Sequence, residues 1–271
     1  MPKFAANLSM MYNEVDFLDR FAAAAEDGFK GVEFLFPYSY LVGDIRARLD
    51  RHGLTQALFN CPPGDWAAGE RGIACLPGRE EEFRRGMERA LGYAHVLGNQ
   101  CLHVMAGVQP PEHERVQCRD VYLNNLDYAA RQAAEHGVTI LIEPINPRDM
   151  PGYFLGDFDL AIDLIRDFNS PRLKLQYDIY HRQILRGDVS TSLSALLPII
   201  GHIQIASVPG RHEPRTGELN DDFLLRRLEA GGVEVLPALQ AGSGIANQRR
   251  NRLFIRRSQN VPVRKIRRIR A

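Results

Sequence analysis

Short apolar runs and amphipathic stretches alternate along this 271-residue chain. The runs fall at Phe4–Met10, Gly31–Phe36, Leu54–Asn60, Gln100–Met105, Val138–Asn146, Leu173–Asp178 and Ile199–Ala206. Continuous rather than alternating apolar character suits strands buried on both faces, as in a parallel sheet. Helical spacing of apolar positions covers Glu14–Asp27, Asp44–His52, Glu80–Leu97, Arg115–His136, Asp157–Phe168, Asp188–Leu197 and Glu218–Ala230. Gly28, Gly53 and Gly137 stand where a helix ends on a left-handed residue. Seven strand–helix alternations at a period of about 30–35 residues are βαβ units. Eight close a (β/α)₈ barrel in roughly 250 residues. The predicted fold class is therefore α/β, a (β/α)₈ TIM barrel. A doubly wound open sheet normally carries a Gly-rich turn after its first strand, and FAANLSMMYNEVD has none.

The eighth unit breaks the pattern, so the prediction is an eighth βα unit that is degenerate or missing. GGVEVLPAL (Gly231–Leu239) reads as a short strand, but Pro237 lies inside it and no helical period follows. Loss of that unit is expected to leave the barrel open between strands one and seven, with unpaired edges. Charge changes at the same place. Residues 241–271 hold ten Arg and Lys and no Asp or Glu, which leaves 24 basic and 33 acidic residues in 1–240. The division expected is a barrel over 1–240 and a basic, disordered tail over 241–271. The near-neutral total hides an acidic body, so it does not point to nucleic-acid binding. A change of reading frame would produce such a tail, and so would a replaced one.

No apolar run reaches membrane-spanning length and the N-terminus lacks a signal layout, so the expectation is a cytoplasmic protein without a membrane partner. Cys61, Cys75, Cys101 and Cys118 have no paired metal-ligand spacing and read as buried free thiols. The long segment Cys61–Arg79 holds the only Trp together with Asp65, Glu70 and Arg71; a loop of that length reads as an ordered cover over a site.

Candidate chemistry sits at strand ends. VTILIEPIN runs into Glu143, LKLQYD ends on Asp178, and HIQIA carries Gln204. Barrels place their chemistry at the C-terminal ends of their strands. One strand-end carboxylate is an ordinary cap; three oxygen-bearing side chains in succession indicate a shared site. Hard oxygen donors suit Mg²⁺ or Mn²⁺, which makes Glu143, Asp178 and Gln204 the candidate ligands. His103, His181 and Arg211 are the candidate substrate contacts, placed to hold a small anionic, sugar-like molecule. A carboxylate among them could move a proton between adjacent carbons. No organic-cofactor fingerprint is present.

FAANLSMMYNEVDFLDRF, GVEFLFPY, GDWAAGERGIACLPGREEEF, LIEPIN, QYDIYH and GHIQIA…RHEPRTGELN resemble the hydroxypyruvate isomerase family of xylose-isomerase-like barrels, over about residues 1–230. The resemblance implies interconversion of hydroxypyruvate and 2-hydroxy-3-oxopropanoate, with or without a divalent metal, in glyoxylate and glycerate metabolism. It implies two catalytic glutamates, from the fifth and eighth strands. Glu143 matches the first, and Asp178 and Gln204 match metal-type positions. Where the second belongs, this chain has GGVEVLPALQAG, with Gln240 near the place by count. Three functions follow as expectations: hydroxypyruvate isomerisation, isomerisation or epimerisation of another short oxo-acid such as 2-oxotetronate, and a catalytically impaired barrel lacking the second Glu. The partner in each is a small oxo-acid, and no oligomeric state is implied.

Overall fold

The computed structural model describes residues 4–230 and 238–239. Its strands are β1 (Ala5–Asn7), β2 (Gly31–Phe34), β3 (Thr55–Asn60), β4 (Cys101–His103), β5 (Thr139–Ile142), β6 (Leu173–Asp178), β7 (Ile200–Ile205) and β8 (Ala238–Leu239). All pair in parallel with their chain neighbours and close as one barrel. The helices are α1 (Arg20–Glu26), α2 (Val42–His52), α3 (Glu80–Leu97), α4 (Arg115–Glu135), α5 (Phe158–Phe168), α6 (Ile179–Leu185), α7 (Val189–Leu196) and α8 (Asp221–Ala230).

The expected opening between strands one and seven is corrected by β8. Ala238 and Leu239 pair with Gln204 and Ile205 on one side and with Ala5 and Ala6 on the other. Parallel pairing is made by the main chain, so two residues suffice to occupy both edges. The strand begins just after Pro237, whose ring nitrogen has no proton to give a ladder. The eighth unit is thus degenerate in its described length, and its strand is present. The expected tail over 241–271 lies outside the described residues.

The helices follow from their apolar spacing. In α3, Phe83, Met87, Ala90, Leu91, Ala94 and Leu97 form one buried stripe, with Glu80, Glu81 and Glu82 in the first turn and Gly98 left-handed at φ 74° after the last. Two helices differ from the sequence pattern. The stretch after Glu14 is a 3₁₀ turn at Phe17–Asp19 leading into a shorter α1. Helix α6 was not anticipated: Asp178 ends β6 and its side chain accepts the Tyr180 backbone N–H at 2.8 Å, so the strand turns directly into a capped helix.

The segment 61–79 is ordered, as expected of a cover, and it follows β3 at the mouth of the barrel. Cys75 donates its N–H to Ala106 O, and the α4 side chain of Asn125 donates to Ala74 O at 2.9 Å. Arg79 bridges Glu70 at 2.7 Å, Arg71 stacks on Trp66 at 4.0 Å, and Trp66 leans on Phe36. Gly72 has φ +104°, and a Cβ there would lie 2.4 Å from Met105 O. Gly72→Ala is therefore expected to destabilise the fold by at least roughly 1–3 kcal/mol through backbone strain alone, measured by denaturant unfolding. Unchanged stability would mean that this seat against Met105 is not maintained in solution. The four cysteines are free; Cys61, Cys75 and Cys118 are buried and Cys101 half-buried.

Candidate active site

The C-terminal ends of the strands gather polar side chains inside the barrel. Glu143 follows β5 directly, Asp178 closes β6, and His181 sits one turn into α6, all three essentially without solvent exposure. Their nearest ligand-type atoms lie within 4.8 Å of one another. Three of the predicted residues are thus brought to one point. Arg211 joins them from the loop after β7, in the left-handed region at φ 51°. Its guanidinium lies 3.0 Å from Asp149, 3.4 Å from Asp178 and over the Tyr180 ring at 4.8 Å. His103 completes the group, its Nε2 3.9 Å from Glu143 Oε2.

Gln204 is placed differently. It is the register partner of Asp178, but its Nε2 donates to Glu33 at 2.8 Å and its Oε1 accepts from Gln176 at 2.8 Å. It belongs to a buried layer of Asn7, Glu33, Gln176 and His202 that the strand-end reading of the sequence did not single out. The signal was there in the period of two: His202 and Gln204 alternate with Ile203 and Ile205, and Gln176 and Asp178 flank Tyr177. Continuous apolar character hid it, because an inward polar residue between outward apolar ones only dilutes the run.

Burial and like charge act together on the carboxyls. Glu143 is pushed well above the usual carboxylate range by burial first and by Asp178 next, with Arg211 opposing. Burial also raises Asp178, against the pull of Arg211. Both cannot ionise cheaply in one enclosed space, so the pair holds a proton or an external cation. Burial favours the neutral form of two histidines of the site, His103 and His181. Burial, with His181 and His202 nearby, brings His103 down to about 3; burial, then Arg211, brings His181 well below its ordinary value.

Their tautomers follow from their partners. The Asn146 side-chain oxygen accepts the N–H groups of Arg148 and Asp149, which turns its amide nitrogen toward His181 Nδ1 at 2.7 Å; the Asn146 backbone N–H points there too. Arg211 Nη2 also faces His181 Nε2, at 3.4 Å, but the shorter contact from Asn146 makes Nδ1 the acceptor and leaves the proton on Nε2. His181 is built to donate a hydrogen bond into the site rather than to coordinate an ion. His103 Nδ1 faces Asn60 Oδ1 at 3.3 Å, which leaves its Nε2 as a lone pair.

The donor set suits a hard divalent cation. Glu143 Oε1 is buried with no hydrogen-bond partner, beside a second carboxylate that repels it. Glu143 and Asp178 would hold the ion, with the second lone pair of Gln204 Oε1 as the remaining oxygen donor. Titration of metal-stripped protein with Mn²⁺, followed by calorimetry, is expected to show one site that Asp178→Ala weakens by more than about tenfold. Equal affinity in the two proteins would remove Asp178 from the ligand set.

Fold and site together define a class. The profile of the xylose isomerase-like TIM barrel family matches residues 21–236, and this chain belongs to that family. The 2-oxo-tetronate isomerase of Cupriavidus necator is 58% identical over 234 residues, which is 86% of this chain and 90% of that protein. The hydroxypyruvate isomerase of Escherichia coli is 46% identical over 229 residues, covering 84% and 89%. A crystal structure described as AP endonuclease, family 2, from Brucella melitensis superposes with a TM-score of 0.91 at 46% identity, over 94% of this chain and 99% of that one. With isomerases as relatives over most of its length, the chain is an enzyme of the isomerase type. Among the described residues no helix is long and apolar enough to cross a membrane.

Proposed function

We propose that this chain interconverts hydroxypyruvate and 2-hydroxy-3-oxopropanoate, with Glu143 as the proton-transferring residue. The observation that carries the proposal is the Glu143–Asp178 carboxyl pair, buried beside one cation, Arg211, and two neutral histidines.

The chain's own groups divide the work. Arg211 has the charge and planar fork to hold the substrate carboxylate. His181 donates Nε2–H to a substrate oxygen, and the bare Nε2 of His103 accepts a hydrogen bond from a substrate hydroxyl. Glu143 takes the proton from the hydroxyl-bearing carbon and returns it to the neighbouring carbonyl carbon, while a hydroxyl proton moves between the two oxygens; the atoms balance with no redox partner. A divalent cation held at Glu143 and Asp178 would supply Lewis-acid polarisation of the substrate oxygens. Closed walls around the carboxyls keep water from competing for the proton. The setting that goes with this activity is cytoplasmic glyoxylate and glycerate metabolism.

The Cupriavidus necator relative favours a second reading, in which the substrate is one carbon longer, 2-oxotetronate. A kcat/KM comparison on the two acids decides between them. The expected result is turnover of at least one that requires Glu143, with hydroxypyruvate preferred. A preference for 2-oxotetronate selects the second reading, and turnover of neither overturns both.

A further inference from the structure

Arg211 reaches the site from an unfavourable backbone. Its φ of 51° lies in the left-handed region, which crowds the Cβ of any residue other than glycine. Such a conformation persists only where the surroundings over-determine it. The bonds that do so converge on Ser207, which lies just beyond the end of β7 and is 2% exposed. Its N–H donates to His212 O at 2.9 Å, and its carbonyl accepts the Arg211 N–H at 2.9 Å. Its hydroxyl accepts the His212 N–H at 3.1 Å. These bonds close residues 207–212 into one turn, with residue 211 left-handed inside it.

The outer arm of the loop locks that hydroxyl. Ser207 Oγ lies 3.1 Å from Thr216 Oγ1, which in turn lies 2.6 Å from Glu213 O. Thr216 has a single hydroxyl proton and Glu213 O is its shorter contact, so Ser207 supplies the proton between the two hydroxyls. The Glu218 N–H seats the arm on the turn by donating to Val208 O at 2.9 Å. Gly217 packs so closely there that a Cβ would stand 2.2 Å from the same oxygen.

We propose that Ser207 is a positioning residue for Arg211: it holds the 207–212 turn in the form that aims the guanidinium at Asp149 and Asp178. The inference rests on the reading of Arg211 as the holder of the substrate carboxylate. Without the Ser207 hydroxyl, the His212 N–H loses its acceptor and the turn loses its tie to Thr216. Arg211 can then relax to a right-handed backbone, and its side chain leaves Cα in another direction, away from the two carboxylates. A purely structural Ser207 would affect stability and leave the Arg211 guanidinium where it is.

The test is a double-mutant cycle of Ser207→Ala and Arg211→Met, read by steady-state kinetics on hydroxypyruvate and 2-oxotetronate. A second readout is the NMR signal of the Arg211 Nε–H, identified by its loss in Arg211→Met. Only the kinetic arm rests on the proposed function. Ser207→Ala is expected to raise KM by about 3–10-fold, the worth of one or two hydrogen bonds. Its kcat should change little, because an anchor for the carboxylate holds bound substrate and transition state alike. The substitution should add nothing to the loss in Arg211→Met, and it should move the Arg211 Nε–H signal. Equal costs in both backgrounds, or an unmoved signal, overturn the proposal. If the wild type isomerises neither acid, or Arg211→Met keeps the wild-type KM, the functional reading fails and the Arg211 signal alone decides the role of Ser207. If Ser207→Ala does not fold, Thr216→Val, at the exposed end of the hydroxyl pair, takes its place. A moved Arg211 signal in that variant supports the proposal, and an unmoved one overturns it.

Discussion

Glu143→Gln is expected to lower isomerase turnover by about 10²–10⁴-fold, the usual cost of losing a general acid–base group, while the barrel stays folded. The substitution keeps the side-chain shape and removes only the ability to take up and release a proton. Stability should hold or rise, because the wild-type carboxyl is already strained by burial and by Asp178. The sign can be followed with pH. A carboxyl whose folded-state pKa is raised contributes its relative stability below its unfolded pKa and loses it as pH rises through the folded one. With chelator present, the wild-type melting temperature should therefore fall above the ordinary carboxylate range more steeply than that of Glu143→Gln. A variant with wild-type turnover would place the transferred proton on another group. Parallel pH profiles of stability would mean that the Asp178 repulsion is relieved in solution.

Gln240→Glu is expected to have the opposite effect, a gain of about 10²–10⁴-fold in turnover. Moving a proton between adjacent carbons uses an acid or base on each side of the substrate, or one group that reaches both carbons. In the sequence Glu143 follows the last residue of β5 and Gln240 follows the last residue of β8, and Gln240 itself lies outside the described residues. A carboxamide cannot exchange a proton near neutral pH, so the chain as written has Glu143 alone on the described strand ends for this role, Asp178 being tied to Arg211 and the Tyr180 N–H. Kinetics of Gln240→Glu beside the wild type check this directly. A gain that Glu143→Gln cancels supports two groups acting in turn. No gain, with wild-type turnover still dependent on Glu143, shows one carboxyl serving both carbons.

Much of the fold was legible because barrel units repeat one physical design. Each apolar run had to be buried on both faces, and each helix showed its own stripe, so β6 and α3 come out with the boundaries their patterns predict. Glu143 and Asp178 were legible for a related reason: an ionisable group that ends a buried run has nowhere to go except the mouth of the barrel. What the local pattern could not carry was pairing between residues far apart in the chain. Two residues of β8 close the barrel because β7 and β1 offer them main-chain partners, and no window around Pro237 contains that information. The same holds for Glu33. Alone in GVEFLF it is an anomaly; its meaning comes from His202 and Gln204, some 170 positions away. Its hydrogen-bond partners, the tautomer of His181 set by Asn146, and the repulsion between Glu143 and Asp178 are properties of neighbours. Sequence determined which residues could do chemistry in this protein; tertiary structure decided which protons they hold, because burial and partners, not residue type, set the cost of a charge.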